Sequence, residues 1–209
     1  MHALLVKDWY ILKKEAKWTI VLAVVSLAIV AIGRGMYFSF LSAIIVTKLP
    51  VMVMGYDEKS KWNRYALGLP FSRSVIVREK YVLALLCLGL SVVLTFLVGS
   101  VVNVFRFGNP SILALLRGCA VQLAIGISIT SLGYPIFFKL GLEKGRFWYT
   151  LLLFALLAGI GAGVSLVGGN ILSSCIDGTA LSGVLCILAL PLLGSSLLLS
   201  QRFFANKDI

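Results

Sequence analysis

The sequence predicts an all-α integral membrane protein of six transmembrane helices, with both termini in the cytoplasm. Three observations predict it. Apolar residues make up 60% of the 209-residue chain and charged residues 13%, with a mean hydropathy of +1.02, a balance far from that of soluble domains. Six apolar segments approach the ~20 helical residues needed to cross ~30 Å of hydrocarbon, where lipid offers the backbone no hydrogen-bond partner. All Lys and Arg residues except Arg34, Lys48, Arg106 and Arg117 fall in loops on one side, which marks that side as cytoplasmic.

Residues 1–17 come first and read as an interfacial amphipathic helix. At 100° per residue Leu5, Trp9, Leu12 and Ala16 share one face, while Lys7, Asp8, Lys14 and Glu15 share the other. Such a helix lies along the inner surface, its lysines on anionic headgroups and Trp9 at the lipid boundary. The first span, Trp18 to Ile32, follows this charged stretch without a clean small-residue cleavage site, so it is expected to be a retained anchor.

The second span, Met36 to Gly55, carries Lys48 followed by Pro50. A charge at mid-span costs ~2.5–3.5 kcal/mol, which makes Lys48 a candidate for lining a substrate route. The competing reading is that its long stem snorkels to the headgroups, with Pro50 loosening the helix end.

Between the second and third spans lies the one long polar segment, residues 57–80. Asp57 and Glu58 suit the positive end of a short cytoplasmic helix that continues through Lys59, Ser60, Lys61, Trp62, Arg64 and Tyr65 and stops at Gly68 and Pro70. Trp62 and Tyr65 are three apart and are expected to share a face with Ala66. Aromatic and Arg side chains on a rigid exposed element anchor protein contacts, although a positive-inside loop with membrane-anchoring aromatics has the same composition. Ser72 is a candidate N-cap for a helix running through Arg73, Arg78, Glu79 and Lys80 into the third span.

The remaining spans are Tyr81 to Val102, Gly118 to Phe138, Trp148 to Val167 and Leu181 to Leu199. Gly159, Gly161 and Gly163 give the fifth span a small-residue stripe for close helix packing, within the chain or between copies. Phe96, Phe137, Phe138 and Phe154 suit an apolar route, but aromatics near span ends also anchor helices at the interface. Only Gly168 to Ala180 remains outside before the last span, too little for a folded external domain.

Missing parts exclude several classes. There is no GxxxxGK[ST] phosphate loop, and His2 is the only histidine, which removes HExxH metal chemistry and Ser-His or Cys-His pairs. All eight Asp and Glu residues fall in loops or at span ends, so the chain is not expected to be an enzyme or to bind a metal or cofactor of its own. The net charge of +11 is accounted for by positive loops along an anionic leaflet, without nucleic acid. Cys87, Cys119 and Cys186 lie in spans, leaving Cys175 without an exposed partner for an intrachain disulfide.

Tyr56 to Trp62, then Leu69, Pro70, Ser72 and Arg73, then Lys80 and Tyr81 resemble the pattern of a small bacterial subgroup of ABC-2 type transporter permeases, those of phenol-soluble modulin and antimicrobial peptide exporters. The motif covers this polar segment alone, whereas the order of interfacial helix, six spans and cytoplasmic helix resembles the family along the whole chain. The resemblance implies that Asp57 to Tyr65 form a coupling helix seated on a separate ABC ATPase, which would bind ATP and Mg. It further implies a second permease copy or paralogue and export of an amphipathic peptide across the bacterial cell membrane. Two readings compete with it. A non-transporting immunity or sensor subunit would bind a toxic peptide without a tightly coupled ATPase, and an ion-coupled carrier would depend on Lys48 or Asp177.

Overall fold

The computed structural model describes residues 2–15, 17–31, 39–68, 72–107, 112–141, 143–151, 153–155 and 179–205. Within these the ordered elements are helices α1 (His2–Glu15), α2 (Lys17–Ala31), α3 (Ser39–Lys59), α4 (Trp62–Leu67), α5 (Arg73–Phe107), α6 (Ile112–Leu140) and α7 (Thr179–Ala205). Residues 143–151 and 153–155 are also helical.

Among the described residues three stretches are long and apolar enough to cross a membrane: Arg73–Val102, Leu115–Leu140 and Ile187–Ala205. They contain or overlap the expected third, fourth and sixth spans. The first expected span coincides with α2, whose apolar described stretch, Lys17–Ser26, is shorter than a full crossing. The second lies largely in α3, which carries Lys48 and ends on Asp57, Glu58 and Lys59. Most of the fifth, including Gly159, Gly161 and Gly163, lies outside the described residues.

Helix α5 runs unbroken for 35 residues, about 52 Å at ~1.5 Å per residue. That exceeds the ~30 Å hydrocarbon core, so one rigid rod joins the polar segment to the membrane. Its first turn is set by Ser72, whose carbonyl accepts from the amides of Val75 and Ile76. Ser72 therefore holds the expected starting position, while its hydroxyl lies 3.1 Å from that of Ser74.

Helices α3, α5 and α6 pack on one another, α7 lies against α5 and α6, and α2 against α3 and α5. Lipid supplies no hydrophobic force to join helices, so close approach and interhelical hydrogen bonds hold the bundle. A Cβ added at Gly99 of α5 would meet Leu115 Cδ2 at 2.6 Å, and one at Gly126 of α6 would meet Leu88 Cδ2 at 2.5 Å. Glycine thus allows these two helices to touch at two levels. Gln122 of α6 donates to Ser42 of α3 at 2.7 Å and to Ser91 of α5 at 3.0 Å, all three being buried.

Nearer the polar segment, the Tyr81 hydroxyl lies 2.7 Å from both Ser196 and Ser200 of α7. Its ring meets Tyr134 edge-on at 4.9 Å. Tyr81→Phe keeps the ring and removes both hydrogen bonds, so it is expected to destabilise the chain by about 1–2 kcal/mol. Thermal unfolding in detergent checks this, and an unchanged midpoint would mean that these bonds add nothing. Phe137 belongs to the same buried cluster, with Phe138 packed against it. Phe154 is exposed.

Candidate functional site

The polar segment is organised around buried charge. Lys80, at the start of the apolar part of α5, lies 2.5 Å from Asp8 of α1, 2.7 Å from Asp57 of α3 and 3.3 Å from its neighbour Glu79. Lys7 of α1 lies 2.6 Å from Asp57 and 3.0 Å from Asp8. Each ammonium group therefore bridges the same two aspartates, closing a ring that joins α1, α3 and α5. The side chains of Asp8, Asp57, Glu79 and Lys80 are at most 5% exposed, while Lys7 is 23% exposed. Charges taken out of water at this depth are tolerated only when paired, so the helices that carry them are held in one arrangement.

Burial works against the charged form of Asp8, but the adjacent Glu79 carboxyl and the ammonium groups of Lys80 and Lys7 outweigh it and hold Asp8 below the usual carboxylate range. A carboxyl lowered on folding adds stability that is complete above its unfolded value, 3.8, and is lost as the pH falls through the lower folded one. Docking of α1 is therefore expected to hold at neutral pH and to weaken only as the pH falls below 3.8. Amide protection factors in α1 check this, and an Asp8→Asn chain should lose the acid dependence. Equal acid dependence in both would assign it to other groups.

The ring corrects the expected faces of α1. Leu4, Asp8 and Leu12 turn inward, while Trp9 and Tyr10 are exposed. These three are spaced four apart, the helical repeat of a packed stripe, and Asp8 is admitted to it because two lysines meet it there. Ala16 lies outside the described residues.

It also corrects the short helix. Asp57 and Glu58 belong to the last turn of α3, not to a new N-terminus. The chain then turns at Ser60 and Lys61, where Lys61 adopts the left-handed conformation (φ 53°), and α4 begins at Trp62. Acidic groups at a helix C-terminus oppose its dipole; the two lysines on Asp57 offset this. Helix α4 ends at Gly68, as expected, with the Gly68 amide donating to the Tyr65 carbonyl.

Trp62 and Tyr65 do not share a face. Ala66 is fully buried, Trp62 is half-buried against the core with Lys7 Nζ 4.6 Å from its ring centroid, and Tyr65 is 70% exposed. Glu58, Lys59, Ser60 and Lys61 are on the surface beside Tyr65. The Arg64 side chain lies outside the described residues, although its backbone is in α4. Arg73 donates to the Ala205 carbonyl at 2.6 Å, tying the start of α5 to the end of α7. A Cβ at Gly55 would lie 2.9 Å from the Arg146 guanidinium, so glycine lets that side chain approach α3 closely.

Sequence reasoning missed Asp8 and the adjacent pair Glu79 and Lys80 as one site with Asp57, because these three places are 22 to 72 positions apart in the chain and only packing brings them together. The available signal was an acid at helical spacing between Leu4 and Leu12. Chemically the arrangement is a junction: among the described residues no group of three His, Cys, Asp or Glu could hold a metal ion. Its exposed feature is a short helix joined to α3 by one turn and met by Lys7 of α1 at Trp62.

Residues 3–205 match a family model described as ABC-2 family transporter protein. No curated protein matches the chain, and no solved structure does.

Proposed function

The chain belongs to the ABC-2 transporter family, and from that premise we propose that it is one permease half of a bacterial ATP-driven exporter of an amphipathic peptide. Two permeases pair in the cell membrane. A separate ATPase subunit, which carries ATP and Mg, seats on α4 and the surface residues Glu58, Lys59, Ser60, Lys61 and Tyr65 beside it. The polar segment and both chain ends then face the cytoplasm.

The observation that carries this reading is the position of α4. A force on α4 reaches α3 through one short turn and reaches α1 through Lys7, which touches Trp62, Asp57 and Asp8 together. From Asp57 it passes to Lys80 and so along α5. Buried ion pairs of this kind favour rigid-body movement over local bending, because separating them leaves charge unpaired. The peptide substrate is supported by the sequence pattern from Tyr56 to Tyr81 and by the apolar character of the spans.

Inverted membrane vesicles containing the chain and its co-expressed ATPase test the proposal with a dye-labelled amphipathic helical peptide. ATP-dependent uptake that needs both subunits is expected. Binding without ATP-dependent uptake would replace the exporter by an immunity or sensor subunit, and uptake that survives ATP depletion and follows an ion gradient would replace it by a carrier.

A further inference from the structure

Among the described residues Lys48 of α3 takes part in no ion pair. From Leu41 to Asp57 each residue of α3 is buried or half-buried except Lys48, which is exposed. A lipid-facing surface looks different: α5 exposes Leu85, Leu86, Leu90, Val93, Leu94 and Leu97, all apolar. Helix α3 is thus sheltered by its neighbours over four turns and opens at one place. At that opening a cation shares its helical face with the half-buried Leu41, Ile44, Ile45 and Met52. No carboxylate among the described residues pairs with it.

Its depth argues against snorkelling. Within the expected span Met36 to Gly55, Lys48 lies twelve positions from one end and seven from the other, about 18 and 10 Å at ~1.5 Å per residue. Within ~30 Å of hydrocarbon that is well inside the core, and a four-carbon stem does not cover the shorter distance. Helical side chains lean toward their own N-terminus, so Lys48 leans away from the polar Asp57 end. A cation held at this depth costs ~2.5–3.5 kcal/mol unless something meets it.

We propose that Lys48 receives an anionic group of the transported molecule, so that the substrate is amphipathic with a carboxylate or phosphate borne on an apolar body. The four apolar neighbours take the body and the ammonium takes the charge. This rests on the permease reading, and it narrows the substrate class within it.

The test uses the full chain with its ATPase in zwitterionic nanodiscs and a dye-labelled amphipathic helical peptide lacking acidic side chains, prepared with a free C-terminal carboxylate or a C-terminal amide. The carboxylate form is expected to bind about tenfold tighter than the amide. Lys48→Met should bring the two forms level, and Lys48→Arg should restore the difference. A parallel arm with labelled phosphatidylserine against phosphatidylcholine identifies the source: Lys48-dependent preference for the serine lipid alone assigns the anion to a lipid headgroup. Equal binding of both members of both pairs by the wild type, or a preference unchanged in Lys48→Met, overturns the proposal. Binding is read without ATP, so failure of the permease reading shows separately, as preserved discrimination with no ATP-dependent transport.

Discussion

Lys80→Met is expected to destabilise the folded chain by about 3–5 kcal/mol, the cost of leaving buried charge without its partner. Lys80 bridges Asp8, Asp57 and Glu79, each at most 5% exposed. Once it is gone, three carboxyls of opposing helices share one site with Lys7 alone. Methionine fills the volume, so the loss is electrostatic and not a cavity. At ~2–4 °C per kcal/mol for a chain of this size, the melting midpoint in detergent should fall by roughly 6–20 °C. Proteolysis at Lys13 and Lys14, exposed at the end of α1, should accelerate as that helix detaches. Adding Asp8→Asn and Glu79→Gln should recover part of the loss, because neutral amides no longer need the ammonium, and the non-additivity measures the coupling. A Lys80→Met chain within about 0.5 kcal/mol of wild type would mean that the ring does not hold α1, α3 and α5 together.

Tyr65→Ala should separate folding from ATPase binding. With 70% of its surface exposed, Tyr65 contributes little to the fold, so unfolding should change by no more than about 0.5 kcal/mol. If it anchors the partner, its truncation should cost at least about 2 kcal/mol of association, roughly thirtyfold in affinity. Trp62→Ala is the informative contrast. Its ring packs on the core under Lys7, so this substitution should lower stability and ATPase binding together. Full affinity in the folded Tyr65→Ala protein would remove Tyr65 from the interface.

Membrane class and helical architecture were legible in composition and segment length because both are set by the solvent, which demands apolar runs with internally satisfied backbones. The end of α4 at Gly68 and the start of α5 at Ser72 were legible because they are local. What escaped was long-range. Asp57 reads as a helix-starting acid by local rules, yet α3 continues past it because Lys7 and Lys80 arrive from elsewhere in the chain to neutralise it. Asp8 reads as an outward charge for the same reason. Trp62 and Tyr65, three apart, read as one face by local rules, but the left-handed turn at Lys61 sets the roll of α4 so that Trp62 and Ala66, four apart, point inward. Lys48 was visible from the start as a charge in an apolar run, whereas its place as the one exposed position between Leu41 and Asp57 depends on which helices pack around it.

The most direct test of the central claim, that α4 is the seat of a separate ATPase, is a photo-crosslinking amino acid placed at position 65 in the chain co-expressed with its partner ATPase. Position 116, an exposed leucine of α6, serves as the control. The expected result is a covalent adduct with the ATPase from position 65 and none from position 116. Adducts from position 65 confined to lipid or to a second copy of the chain, in membranes where the ATPase is present, would contradict it.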